Sequence, residues 1–294
     1  MDISSREKID WVVKQAIKTT GFLTIAILAG ILFMLISNSV AFFLKSGPID
    51  FFTGSQWKPT EGGNNYGILP LIVSTALVSL GAMVLAVPIG VLTAAYLSEF
   101  APPKLRAILK PIIELLASIP SVAIGFLGIV LVGPAIARIF GISNGINALN
   151  GCILLAIMAL PTIVTISEDA INAVPQSHRE ASFALGAYKW VTLFKVTLPA
   201  ALPGIIAATM LGLGRVLGET MTVLMATGNT AAMPTSFLDS IRTITATIAI
   251  EMGEVPFRTT HYFALFAIAA VLFVISFVIN MIGEYFANRL RQFQ

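Results

Sequence analysis

An all-α integral membrane protein that crosses the bilayer six times is the fold class this sequence predicts, and three observations predict it. The 294 residues are 56% hydrophobic and only 11% charged, with a mean hydropathy of +0.89, where soluble domains carry roughly 25% charged residues. Six apolar runs each supply the ~20 residues needed to cross ~30 Å of hydrocarbon. The basic residues are distributed unevenly along the chain, as topology rules demand.

The first run, about 20–44, follows Arg6, Lys8, Lys14 and Lys18. It is longer than a signal-peptide core and shows no small-residue cleavage pattern, so it reads as a retained span. The second lies at about 68–97, the third at about 113–137 and the fourth at about 146–166. The fifth covers about 200–227 and the sixth about 261–283. Pro88, Pro120, Gly125 and Pro161 interrupt these runs, which predicts kinks whose freed carbonyls neighbours or water must satisfy. Twelve Lys and Arg flank one side, in the N-terminus, the 98–112 and 167–199 loops and the C-terminus, against five on the other. The positive-inside rule therefore puts both termini and the 167–199 loop in the cytoplasm.

Arg215 stands apart from both groups, inside the fifth run with Glu219 four residues on. A lone mid-membrane Arg costs roughly 2.5 kcal/mol or more. On an unbroken helix Glu219 would share its face and could pair with it. Gly214 and Gly218 form a small-xxx-small pair that would let a partner helix approach, and Thr220 and Thr222 add hydroxyls. Intramembrane ionisable residues point to a transported ion or to a buried pair that fixes helix packing. Glu114, near the cytoplasmic end of the third run, is a weaker candidate because its carboxylate can reach water.

A power source is missing. The chain has no phosphate-binding loop of the G-x-x-x-x-G-K-[ST] kind, "GLGRVLG" misses the dinucleotide fingerprint by one residue, and no triad or zinc motif stands out. Cys152 is the only cysteine and reads as a small packing residue. Transport would have to draw on an ion gradient or on a partner.

The 167–199 loop favours a partner. Glu180-Ala181-Ser182, Gly186 and Val196-Thr197-Leu198-Pro199 resemble the EAA loop of ABC-importer permeases, EAA-x3-G-x9-I-x-LP, with Ser182 for Ala and Val196 for Ile. Physically, a short helix with small Ala181 and Ser182, a reversal at Gly186 and a second helix would suit close docking, with Leu198-Pro199 ending the loop and opening the next span. The resemblance implies a type I ABC-importer permease fold with a cytoplasmic EAA coupling helix that docks on a separate ATPase dimer. It also implies that ATP and Mg are bound by that partner, with no cofactor in this chain.

"MLGLGRVLGETM", "GNT" at 228–230, "ELLASIPSVAIG" at 114–125 and "TATIAIEMGE" at 245–254 look like the PstC branch of phosphate-importer permeases, from about Gly67 onward. That resemblance implies inorganic phosphate as substrate, a second PstA-type permease, an extracytoplasmic phosphate-binding protein facing the 228–260 loop, and a multi-pass location in a bacterial or archaeal inner membrane. The division expected is 1–66 for the N-terminus, first helix and first outer loop, 67–285 for the importer core, and 286–294 for the cytoplasmic tail. Arg215, Glu219, Thr220 and Thr222 would line the substrate pathway. No catalytic residue, metal ligand or nucleic-acid partner is expected. The rivals are a permease for molybdate, sulfate or phosphonate, a proton-coupled secondary transporter working through Glu219, and a non-transporting scaffold or sensor.

Overall fold

The computed structural model describes residues 3–59 and 65–291. Helix α1 (Ile3–Phe43) leads through the short α2 (Pro48–Thr53) to a two-stranded antiparallel ribbon, β1 (Trp57–Lys58) and β2 (Asn65–Tyr66), in which Trp57 pairs with Tyr66. Helix α3 (Leu69–Ala95) ends in a π turn at 96–100. Next is α4 (Pro103–Ala117), and the third spanning stretch follows as α5 (Ser121–Leu127), a π turn at 128–132 and α6 (Gly133–Phe140). Then come α7 (Ala148–Asn172), α8 (Gln176–Ala184), α9 (Lys189–Thr192), a π turn at 193–197 and α10 (Leu198–Gly218). The chain closes with α11 (Met221–Ala226), α12 (Ile244–Glu251) and α13 (Thr260–Arg291). Six helical stretches among these are long and apolar enough to span a membrane.

The centre is a three-helix contact of α3, α7 and α10. Val78, Ala82, Ala86, Leu155, Ala159 and Ile163 are buried there. Ile163 sits between two glycines: a Cβ on Gly90 would lie 2.7 Å from its Cγ2, and one on Gly212 would lie 2.8 Å from its Cγ1. Lipid supplies no hydrophobic drive between helices, so such close backbone approach is what holds spans together. A second cluster joins Phe42, Phe51, Trp57, Tyr66 and Leu265 at the end opposite the basic loops. A third, with Leu97, Ile171, Leu193 and Ile205, lies at the basic end. Helix α1 packs chiefly on α13, where Ser39 donates to the Phe266 carbonyl at 3.0 Å. Its exposed Phe22, Ile25 and Phe33 suit contact with acyl chains.

Three expected boundaries move. The third run splits at 118–120, where Pro120 is itself extended (ψ 135°), withholds its N–H and disfavours helical backbone at the residue before it. Glu114 therefore belongs to the half-helix α4, where it is exposed. The fourth span runs on to Asn172, so "SEDAIN" is helix rather than loop. Leu198 and Pro199 do not start the fifth span. They lie within a continuous helical stretch from Lys189 to Gly218, whose π turn at 193–197 widens the helix just where Pro199 withholds its N–H.

Candidate functional site

Two helix breaks lie side by side. Helix α4 stops at Ala117 and α5 starts at Ser121, while α10 stops at Gly218 and α11 starts at Met221. Thr222 stitches the breaks together: its Oγ1 donates to the Ser121 carbonyl at 3.0 Å, with the Met158 sulfur 3.2 Å away. Met158 lies near the middle of α7. Gly212 meets Ile163 a turn and a half further toward the basic end. Arg215, between Gly212 and Thr222, therefore lies level with the middle of α7, three residues before α10 ends at Gly218.

The pair expected between Arg215 and Glu219 does not form. Glu219 is extended (φ −70°, ψ 131°) and outside α10, so the one-turn spacing that would align the two is lost. Its carboxylate instead accepts from the Thr222 backbone N–H at 3.2 Å, covering an orphan donor at the start of α11. Its own carbonyl accepts from Thr245 Oγ1 at 2.9 Å, which ties the break to α12. The Thr220 hydroxyl donates to the Gly218 carbonyl at 3.4 Å. A Cβ on Gly214 or Gly218 would meet nothing within 4 Å among the described residues, and Gly212 takes the close-packing role.

Arg215 is thus left with one long hydrogen bond, from Nη2 to the Ala117 carbonyl at 3.4 Å. It is half-buried and has no carboxylate partner among the described residues. A guanidinium offers five donors, so most of its binding capacity is unspent.

At the basic end, α8 is a short helix that closes through Gly186 at φ +80°. Gly186 N–H donates to the Phe183 carbonyl at 2.9 Å and Ala187 N–H to the Ser182 carbonyl at 3.2 Å, the paired bonds that end a helix in a left-handed residue. Glu180 and Ala181 are exposed, while Ser182 turns inward to share a 2.8 Å hydrogen bond with Thr192 Oγ1. Phe183, Leu185, Tyr188 and Trp190 are also exposed around this turn. Exposed apolar side chains around a turn at the basic end suit contact with another surface.

Sequence reasoning missed three charged clusters. Glu168, buried in α7, is paired by Arg106 and Lys110 of α4. Arg179 of α8 pairs with Glu99 at the end of the second span. At the opposite end Glu251 accepts from Arg242 (2.9 Å), Trp57 Nε1 (3.0 Å) and the His261 ring (2.7 Å). This hub binds α12, α13 and the ribbon beside a cleft of about 470 Å³. In the adjoining loop the Thr235 backbone and hydroxyl and the Ser236 backbone all bond Asp239 and hold its carboxyl below the usual range.

Residues 86–292 match the family described as binding-protein-dependent transport system inner membrane component. A probable ABC transporter permease protein, YqgH of Bacillus subtilis, is 39% identical over 249 residues, covering 84% of this chain and 81% of that protein. The phosphate transport system permease protein PstC of Xylella fastidiosa is 34% identical over 288 residues, covering 92% and 87%. Among solved structures, a bacterial alginate ABC transporter in complex with a pentasaccharide-bound periplasmic protein superposes with a TM-score of 0.64 at 18% identity, covering 98% of each chain. The inward-facing MetNI methionine ABC transporter gives 0.58 at 22%, covering 80% of this chain and 99% of that one. The fold is that of a type I ABC-importer permease, and the chain belongs to the family of binding-protein-dependent transport system inner membrane components, as a multi-pass permease subunit of the inner membrane.

Proposed function

We propose that this chain is the permease subunit through which an ATP-driven importer moves inorganic phosphate, with its basic end and both termini in the cytoplasm. The observation that carries the reading is Arg215: an uncompensated guanidinium level with the middle of α7, between two helix breaks, where a charge is tolerated only if something pairs with it. A tetrahedral oxyanion fits, because the planar fork matches two of its oxygens. The PstC relatives support phosphate among such anions. Glu219, at the adjoining break, favours the same choice. Phosphate keeps a proton at neutral pH and can donate it to a carboxylate, whereas sulfate has none to give. Thr220 and Thr222 supply hydroxyls along the same break.

The exposed α8 turn, with Glu180, Ala181, Gly186 and its exposed apolar side chains, would receive one subunit of an ATPase dimer that binds ATP and Mg. A second, PstA-type permease would complete the pathway beside Arg215. A phosphate-binding protein would deliver its load at the α12 end. Closing of the ATPases would move α8 and, through the continuous Lys189–Gly218 helix, the segment carrying Arg215.

The test is to purify the complex from its native membrane and measure vesicle uptake of phosphate in competition with sulfate, molybdate and a phosphonate. Co-purification of an ATPase and a binding protein, with uptake blocked by excess unlabelled phosphate and not by the others, is the expected result. Uptake without any ATPase would replace this reading with a secondary transporter, and preference for another anion would reassign the substrate.

A further inference from the structure

We propose that Arg179 is the positioning residue that delivers movement of α8 to the second and fourth spans. The assignment rests on the reading of α8 as the ATPase docking helix. Of the nine residues of α8, only Arg179 and Ser182 turn inward. They lead to different places. Ser182 bonds Thr192 of α9, which runs without a break into the fifth span. Arg179 reaches elsewhere with all three of its nitrogens. Nε donates to Glu99 Oε1 at 2.9 Å, Nη1 to the Val174 carbonyl at 2.7 Å and Nη2 to the Ile171 carbonyl at 2.8 Å.

Those acceptors are the ends of two spans. Glu99 sits in the π turn that closes α3, and Ile171 and Val174 belong to the last turn of α7 and the residues just beyond it. Arg179 and Glu99 are only 11% and 12% exposed, so water screens the pair weakly. Helices α3 and α7 form the central contact of the bundle. A push on the exposed face of α8 is therefore divided: Ser182 passes it to the span carrying Arg215, and Arg179 passes it to the α3–α7 pair against which that span slides. Lysine cannot replace this link, because a single ammonium cannot present three donors in a fixed plane.

The test uses the whole complex in vesicles, with its ATPase and binding protein, inorganic phosphate as the probe, and phosphate moved per ATP hydrolysed as the readout. Arg179→Gln and Arg179→Lys are expected to keep the ATPase bound and hydrolysing, while phosphate moved per ATP falls about tenfold, within the usual range for linked sites. Glu99→Gln is expected to lower the ratio in the same direction. The double variant Arg179→Gln/Glu99→Gln should be no worse than Arg179→Gln alone, since both remove one shared interaction. If Arg179→Gln does not assemble, Glu99→Gln decides. An unchanged ratio, whatever the amount of complex recovered, overturns the assignment, as does release of the ATPase by these variants, which would make Arg179 a docking contact. A wild-type complex that holds no ATPase or moves no phosphate overturns the importer reading instead.

Discussion

Replacing Arg106 and Lys110 together with methionine strips Glu168 of its partners, whereas Glu168→Gln strips the partners of Glu168. The two experiments should not be equivalent. Glu168 is 1% exposed, while the Arg106 and Lys110 side chains are 38% and 33% exposed. In the first variant a carboxylate stays buried without compensation, which costs about 3–5 kcal/mol. In the second, both cations can turn toward water, so the loss resembles that of a partly exposed pair, about 1 kcal/mol. At roughly 2–4 °C per kcal/mol for a chain of this size, the double variant should melt roughly 10 °C below the parent and Glu168→Gln only about 3 °C below. Cys152, the single cysteine and buried in the core, provides the assay: a fluorogenic thiol probe on purified protein reports the temperature at which it becomes reachable. Equal losses, or a larger loss for Glu168→Gln, would refute the claim that burial of the carboxylate sets the asymmetry of this clamp.

Other expectations follow from local geometry. Gly186→Ala should cost about 1–2 kcal/mol in the same melt, because φ +80° strains any Cβ, and Gly186→Asn should cost less; the site has open space, so no clash contributes. Gly212→Leu should cost about 1–3 kcal/mol through overpacking against Ile163, and Ile163→Ala in the same chain should recover part of it. Asp239 has its folded pKa depressed by the Thr235 and Ser236 bonds, so its contribution is present above the ordinary carboxylate range and lost as pH falls through the depressed value. Amide exchange at Thr235 and Ser236, corrected for intrinsic rate, should stay slow down to about pH 3.9 and quicken only below it, and Asp239→Asn should abolish that dependence.

The spans are legible in the sequence because they depend only on the length and polarity of local runs. The partner of Arg215 is not. One-turn spacing aligns two side chains only if the helix continues, and Glu219 finds a competing bond three residues on, at the Thr222 amide. The interruption of the third run is half legible: Pro120 predicts a kink, and the structure turns it into a full break before Ser121. Glu168 had a visible signal. Ile163, Val164, Ser167, Glu168 and Ile171 keep a helical period and are all buried, so the face runs on past the first charges, where polarity alone suggested that the span had ended. The Glu251 hub joins residues 57, 242, 251 and 261, which no local pattern brings together. The α8 turn was legible because Gly186 and its spacing to Leu198 and Pro199 are local, although those last two residues open α10 within a helical stretch that already begins at Lys189.

The most direct measurement is phosphate uptake by vesicles holding the full complex with Arg215→Gln, once assembly with the ATPase has been confirmed. Charge-assisted hydrogen bonds contribute about 1.5–3 kcal/mol each, so uptake should fall at least about tenfold, with Arg215→Lys recovering only part because it lacks the fork. Undiminished phosphate uptake by Arg215→Gln would contradict the claim that this guanidinium meets the anion in mid-membrane.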